Sequence, residues 1–348
     1  MTKLFGTDGI RGIATREPIT TEIAFKLGRS AIRFCERKGL RPAIVIGRDT
    51  RESGEMLEHS LVSGVLSAGG EAFRVGEIPT PGVAFLTREL GGGAGIVISA
   101  SHNPHEYNGF KVFSHEGFKL SNDEETEIED LILSEVTPPP NKYPGKEKYI
   151  GDAWKRYVSF LKKTLSGNKP LRNMKIVIDC ANGATWKAGP ALFEGLGATI
   201  EVLFADPDGK NINLNCGSQY TETLRKKVLE TGFEAGLAFD GDGDRLIAVD
   251  EKGQVLTGDQ VLTICAKMLK NKGLLKNNLV VSTVMSNMGL RFALKDLGIE
   301  HASSPVGDRY VMEKMRAKGA VLGGEDSGHV IFLDHHTTGD GLITALQL

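Results

Sequence analysis

Ala94-Gly-Ile-Val-Ile-Ser-Ala-Ser101-His-Asn-Pro104 is the stretch from which the fold is read. Ile96, Val97 and Ile98 make an apolar run of strand length that stops abruptly in small polar residues. Ser99, Ala100 and Ser101 leave room for something to approach the backbone. His102 and Asn103 add polar groups, and Pro104 ends the strand. Open α/β sheets bind their ligands at the carboxyl ends of strands, so this turn suits a reactive hydroxyl. By itself it reads equally well as an ordinary strand-to-loop turn.

Working outward, the strand has company of its own kind. Before it come a helix over residues 20–38 with Thr20 or Thr21 as its cap, the strand Ala43–Ile46, a helix near 53–68 closed by Gly69-Gly70, and the strand Ala72–Val75. The same order recurs downstream. Lys175–Asp179, Thr199–Leu203 and Ala235–Phe239 read as strands separated by helices. Leu279–Ser282, His301–Ser303 and Ala320–Leu322 repeat the scheme. Three copies of strand–helix–strand–helix–strand predict an α/β protein: three similar α/β domains with mixed, largely parallel sheets around a central cleft. The expected domains are residues 1–150, 151–252 and 253–348, with Pro138-Pro-Pro140 as a stiff linker after the first and Gly253 and Gly258-Asp259 dividing the others. The apolar helical pattern at Leu342, Ile343, Ala345 and Leu346 runs to Leu348 without a stop signal, so the chain is expected to be cut rather than finished.

The totals narrow the function. Net charge is -2 over 348 residues, with no basic stripe, so nucleic acid is not an expected partner. No apolar run is long enough to span a bilayer, and the start lacks a leader pattern, so no membrane partner and a cytoplasmic location are expected. Cys35, Cys180, Cys216 and Cys265 are scattered and form no C-x-x-C pair, as expected of isolated thiols in a reducing compartment.

In each copy the last strand runs into an unusual polar loop. The second loop is Asp240-Gly-Asp-Gly-Asp-Arg245, and the third is Gly323-Gly-Glu-Asp-Ser-Gly-His329. Asp240, Asp242 and Asp244 repel one another unless a cation neutralises them, and oxygen-only ligands point to Mg²⁺ or Ca²⁺. Two other readings compete. A solvated acidic turn is one. The other is an EF-hand, with Glu251 at its twelfth position, but Arg245 stands where that loop needs glycine and the flanks read as strands. Glu325, Ser327 and His329 offer an acceptor, a hydroxyl and an imidazole suited to sugar hydroxyls, or else a hairpin turn. Near the start, Phe5-Gly-Thr-Asp-Gly-Ile-Arg11-Gly12 presents Arg11 either to an anion or to Asp8 as a surface ion pair. Together the loops suggest phosphoryl transfer. Ser101 is the carrier, a divalent cation the neutraliser, and Arg11 and Arg245 the charge clamps, with His102 or Lys111 to move the proton. P-loop, nucleophile-elbow and dinucleotide fingerprints are all absent from the sequence.

These residues resemble a known family. Ile98-Ser-Ala-Ser-His-Asn-Pro104, Asp240–Arg245 and Gly324-Glu-Asp-Ser-Gly-His329 are similar, in order and spacing, to the phosphoserine, metal and sugar loops of the α-D-phosphohexomutases. Phe5–Gly12, Met285-Ser-Asn-Met-Gly289 and Val306-Gly-Asp-Arg-Tyr-Val311 resemble its bacterial phosphoglucosamine mutase branch. Tyr107-Asn-Gly-Phe-Lys111 is closer to the phosphomannomutase and phosphoglucomutase branch.

The resemblance implies interconversion of glucosamine 6-phosphate and glucosamine 1-phosphate through a phosphoserine at Ser101 and a 1,6-bisphosphate, on the route to UDP-N-acetylglucosamine. Mg²⁺ would sit on Asp240, Asp242, Asp244 and an oxygen of phosphorylated Ser101. Glu325 and Ser327 would hold sugar hydroxyls. Glucosamine 1,6-bisphosphate or glucose 1,6-bisphosphate would serve as activator, and a homodimer is compatible with the reading. The family also has a fourth domain bearing a phosphate loop. Nothing in this chain matches it, so weak turnover is expected, and a fragment that only binds a sugar phosphate or a metal is the alternative of another class.

Overall fold

Apolar runs bounded by glycines become strands in the order the sequence suggests, and their neighbours fix the topology. The computed structural model describes residues 4–6, 8–134 and 143–348. The Pro138–Pro140 linker and Thr7 lie outside the described residues. The first sheet contains β1 (Ile10–Ile13), β2 (Ala43–Arg48), β3 (Glu71–Glu77), β4 (Ala94–Ile98), β5 (Tyr107–Ser114) and β6 (Lys146–Tyr149), in the order β1-β5-β4-β2-β3-β6. β3, β2 and β4 are parallel, and β5 is antiparallel to β4 and to β1.

The second sheet holds β7 (Lys175–Asp179), β8 (Thr199–Leu203), β9 (Ala235–Phe239), β10 (Leu246–Asp250) and β11 (Val255–Leu256), ordered β11-β10-β9-β7-β8. The third holds β12 (Leu279–Thr283), β13 (Glu300–Ser304), β14 (Leu322–Gly324) and β15 (Val330–Phe332), ordered β13-β12-β14-β15. Each sheet therefore contains the same four-strand unit. Three parallel strands lie in the order second, first, third, and a fourth strand turns back antiparallel beside the third. Three α/β domains with mixed sheets are thus present. The turn between the third and fourth strands is the loop that the sequence singles out in each copy.

The chain gathers into two bodies. One is Met1–Tyr157 with Pro207–Ile212, and it contains the first sheet. The other is Val158–Asp206 with Asn213–Leu348, and it contains the second and third sheets.

Helix ends follow local chemistry. Thr20 caps Thr21–Arg37 by accepting from the Ile23 N–H at 3.2 Å, and Ser121 with Glu124 forms a capping box on Asn122–Leu133. The helices Thr21–Arg37 and Glu52–Ser67 cross so closely that only glycine fits. A Cβ on Gly28 would lie 2.2 Å from the Leu61 carbonyl oxygen, and one on Gly64 would lie 2.1 Å from that of Phe25. Around this crossing Leu27, Ala31, Leu61 and Val65 are wholly buried, the leucine and valine side chains contributing about 1.5–3 kcal/mol each.

Two elements depart from the sequence reading. The third-copy strand expected at Ala320–Leu322 is Leu322–Gly324. Its glycines pair with β12 and β15, and Gly323 must be glycine because Met315 Sδ and the Val281 carbonyl would meet a Cβ there at 2.6 and 2.9 Å. Gly258-Asp259, expected as a divider, opens the helix Gly258–Asn271.

Candidate functional site: three hairpin turns

Ser101 sits at the turn between β4 and β5, buried, with φ of 53°. That left-handed conformation disfavours a residue with a Cβ by about 1–3 kcal/mol, so the surroundings must impose it. They do so on both sides of the residue. Its N–H donates to Ser99 Oγ at 2.9 Å, and Ser99 Oγ donates to Asp49 Oδ2 at 2.6 Å. Its carbonyl accepts from Arg51 Nη2 at 2.9 Å. His102 Nδ1 lies 3.3 Å from Ser101 Oγ, within reach for a proton.

Arg11 lies on β1 opposite Gly109. Its Nη2 is 3.6 Å from Asp8 Oδ2 and its Nη1 donates to Asn103 Oδ1 at 3.4 Å, so the ion pair and the approach to the serine turn coexist. Lys111 faces Val97 across β4 and β5 and is buried, while Phe110 and Val112 on either side belong to the apolar core. Arg11, Ser101, His102 and Lys111 thus share the first body.

Sequence reading missed Asp49 and Arg51, which follow directly from the end of β2. Arg51 is wholly buried and paired to Asp49 Oδ2 at 2.9 Å. Its Nη2 donates to Ser101 O and Asn103 O, the latter at 2.8 Å. Its Nη1 donates to Tyr107 O at 3.0 Å and to Pro104 O. The signal available was an Asp-x-Arg pair at the carboxyl end of an apolar strand.

In the second body, Asp240, Asp242 and Asp244 occupy the turn between β9 and β10, all buried, with candidate ligand oxygens within 4.8 Å of one another. The EF-hand is excluded because strands, not helices, flank the loop. The turn is fixed from inside by Gly243 N–H on the Asp240 carbonyl at 3.1 Å and by Arg245 N–H on Asp240 Oδ1 at 3.2 Å. It is fixed from outside by Ala184 N–H on the Gly241 carbonyl at 2.8 Å. Gly183 must be glycine here, since its Cβ would lie 2.3 Å from that same carbonyl. Three carboxylates this close, with no thiol or imidazole among the three, form a donor set for a hard divalent cation such as Mg²⁺. Arg245 Nε lies 3.9 Å from Asp244 Oδ1.

The third turn, between β14 and β15, is joined to the second. Leu246 N–H donates to the Gly328 carbonyl at 3.0 Å. His329 lies between Asp244 (Nδ1 to Oδ1, 3.7 Å) and Asp308 (Nε2 to Oδ2, 3.5 Å). Burial alone pulls this imidazole down. The Asp244, Asp308 and Glu325 carboxylates outweigh it and hold the group above its ordinary value. His329 thus lies between two carboxylates that favour its protonated form. Glu325 Oε1 accepts from Gly307 N–H at 3.0 Å, which ties the loop to the start of the helix Asp308–Lys318. Ser327 Oγ is shielded from solvent and makes no hydrogen bond among the described residues. The structure therefore brings Asp240, Asp242, Asp244, Arg245, Glu325, Ser327 and His329 into one body, and Ser101, His102, Lys111 and Arg11 into the other.

Known proteins share this three-domain architecture. Three successive stretches match family descriptions of phosphoglucomutase/phosphomannomutase α/β/α domains: domain I over residues 2–138, domain II over 155–253 and domain III over 257–348. A phosphoglucosamine mutase of Syntrophus aciditrophicus is 56% identical across 100% of this chain and 78% of its own length. One from Carboxydothermus hydrogenoformans is 53% identical across 100% of this chain and 79% of its own. Among solved structures, a phosphoglucomutase/phosphomannomutase family protein of Burkholderia thailandensis superposes with a TM-score of 0.85 at 28% identity, over 98% of this chain and 75% of that one. A putative phosphomannomutase of Thermus thermophilus gives 0.87 at 24% identity, over 100% of this chain and 79% of that one, and shares the fold.

Proposed function

The chain belongs to the phosphoglucomutase/phosphomannomutase family, and on that premise we propose that it is a phosphoglucosamine mutase, interconverting glucosamine 6-phosphate and glucosamine 1-phosphate. The observation that carries the reading is a buried serine in a forced left-handed turn and a buried acidic triad at the equivalent turn of a second copy. Relatives named for this substrate that span the whole chain at 50–56% identity support the sugar.

In this reading Ser101 enters as phosphoserine. A sugar hydroxyl attacks its phosphorus, the P–Oγ bond breaks, a P–O bond to the sugar forms, the hydroxyl proton passes to a base such as His102 or Lys111, and the leaving Ser101 Oγ takes up a proton to become a hydroxyl again. The product, a 1,6-bisphosphate, returns its other phosphate to Ser101 Oγ, which is then again phosphoserine. Asp240, Asp242 and Asp244 would hold Mg²⁺, which supplies neutralisation of charge on the phosphoryl group in flight. Arg11 and Arg245 add fixed positive charge. Glu325 and Ser327 bind sugar hydroxyls, and the Ser327 Oγ, without a hydrogen-bond partner among the described residues, supports that role. Glucosamine 1,6-bisphosphate or glucose 1,6-bisphosphate would prime the serine. A cytoplasmic location goes with buried, unpaired cysteines, and no helix among the described residues is long and apolar enough to cross a membrane.

The test is phosphate on Ser101. Incubation with Mg²⁺ and glucosamine 1,6-bisphosphate, followed by peptide mass spectrometry, should show it on the native chain and not on Ser101→Ala. Its absence, both before and after incubation, overturns the reading. Tyr107–Lys111 favours a second reading, a phosphomannomutase or phosphoglucomutase. A panel of hexose phosphates as acceptors for the Ser101 phosphate separates the two.

A further inference from the structure

We propose that Arg51 is a positioning residue that sets the geometry of Ser101, an inference resting on the reading of Ser101 as the phosphoryl carrier. The argument starts from donor arithmetic. A guanidinium has five N–H donors in a rigid fork. Here Nε faces Asp49 Oδ2, Nη2 faces Ser101 O and Asn103 O, and Nη1 faces Pro104 O and Tyr107 O. All five are engaged, and Asp49 neutralises the charge. Arg51 therefore has no donor left for a phosphate. Its contacts reach one turn only, and they hold four carbonyls of that turn in fixed relative positions.

The hub is Asp49. Its Oδ2 accepts from both Arg51 Nε and Ser99 Oγ, so the two bonds that fix the Ser101 N–H and C=O trace to one carboxylate oxygen. Those two bonds flank the φ of 53°. Releasing either lets Ser101 relax toward ordinary backbone, which displaces Oγ from the line of attack. Lysine keeps the charge but offers three donors from a single atom, so it cannot span the four carbonyls.

The experiment compares Arg51→Lys and Ser99→Ala with the native chain. Three quantities are measured: the thermal midpoint, deuterium uptake of peptides covering residues 99–107, and the rate at which Ser101 acquires phosphate as bisphosphate concentration is varied. With Arg51→Lys folded, we expect faster exchange confined to the turn and phosphorylation slowed by about tenfold or more. The half-saturating bisphosphate concentration should stay within about twofold. Ser99→Ala should shift the same quantities less. A rate per folded molecule equal to native, with unchanged exchange in the turn, overturns the proposal. If Arg51→Lys does not fold, Ser99→Ala decides, and native exchange and rate there overturn it. A native chain that takes no phosphate defeats the carrier reading and this inference with it. A native chain that takes phosphate no faster than folded Arg51→Lys defeats this inference alone.

Discussion

Replacing Asp242 by asparagine should make the metal-free protein more stable while removing its response to Mg²⁺. The three candidate ligand oxygens lie within 4.8 Å of one another, so at an effective dielectric constant of about 20 each ionised pair repels by at least about 3.5 kcal/mol. Asp242→Asn removes two of the three pairs, about 7 kcal/mol of gross repulsion by the same arithmetic. Arg245, 3.9 Å from Asp244, already offsets part of this. Proton uptake and relaxation offset more, leaving a net gain of about 1–2 kcal/mol. For a body of this size that raises the midpoint in EDTA by roughly 3–6 °C. In the native chain, Mg²⁺ at a hundredfold excess over its dissociation constant should add about 2.7 kcal/mol. Differential scanning calorimetry in EDTA and in MgCl₂ reads both numbers. A midpoint in EDTA that falls on substitution, or a Mg²⁺ shift that survives it, refutes the reasoning.

Burial pushes Asp179 up to about 7, against the N–H groups of Gly217 and Ala181 that favour its ionised form. The folded state therefore keeps a proton that the unfolded chain releases near pH ~4, and stability falls as pH rises across that window, by up to about 4 kcal/mol, then levels above it. Urea melts of native and Asp179→Asn protein between about pH 4 and about pH 7 should diverge in slope, and parallel curves would refute this. All four cysteines are buried, with Cys35, Cys216 and Cys265 pushed up to about 12 and Cys180 higher still. Ellman's reagent should therefore find essentially no thiol at neutral pH until denaturant is added, and rapid native labelling would contradict that. Gly64→Ala should destabilise by about 2 kcal/mol or more, although alanine is the better helix former by ~1 kcal/mol, because its Cβ would lie 2.1 Å from the Phe25 carbonyl oxygen. A denaturation midpoint at or above native would remove the close-crossing argument.

Much of the architecture was legible because short apolar runs and glycine stops recur in one order. Leu279–Ser282 and His301–Ser303 are strands as read, one residue short at an end or at both ends. The three loops declared themselves by residue types that no apolar core explains. What the sequence hid was set by long-range packing. β14 was placed two residues early because Gly323 and Gly324 resemble a turn, and only their pairing with β12 and β15 makes them a strand. The helix Gly258–Asn271 begins with a glycine that reads as a break, although Thr257 and Gln260 carry the capping signature. Arg51 was invisible for a deeper reason. Its acceptors at the serine turn are backbone carbonyls 50 to 56 residues away, and carbonyls have no identity in a sequence.

The backward step of the fourth strand has a consequence for how such a protein can change. Each turn is clamped at both ends by neighbouring strands about 5 Å apart, so its ends stay in place whatever lies between them. A turn can then be exchanged like a cartridge: serine chemistry in one copy, carboxylates in another, a hydroxyl-and-imidazole set in the third, with the ladder register on either side untouched. The same holder thus stands in all three copies, and new chemistry can be tried in one of them with the strands beneath kept in register.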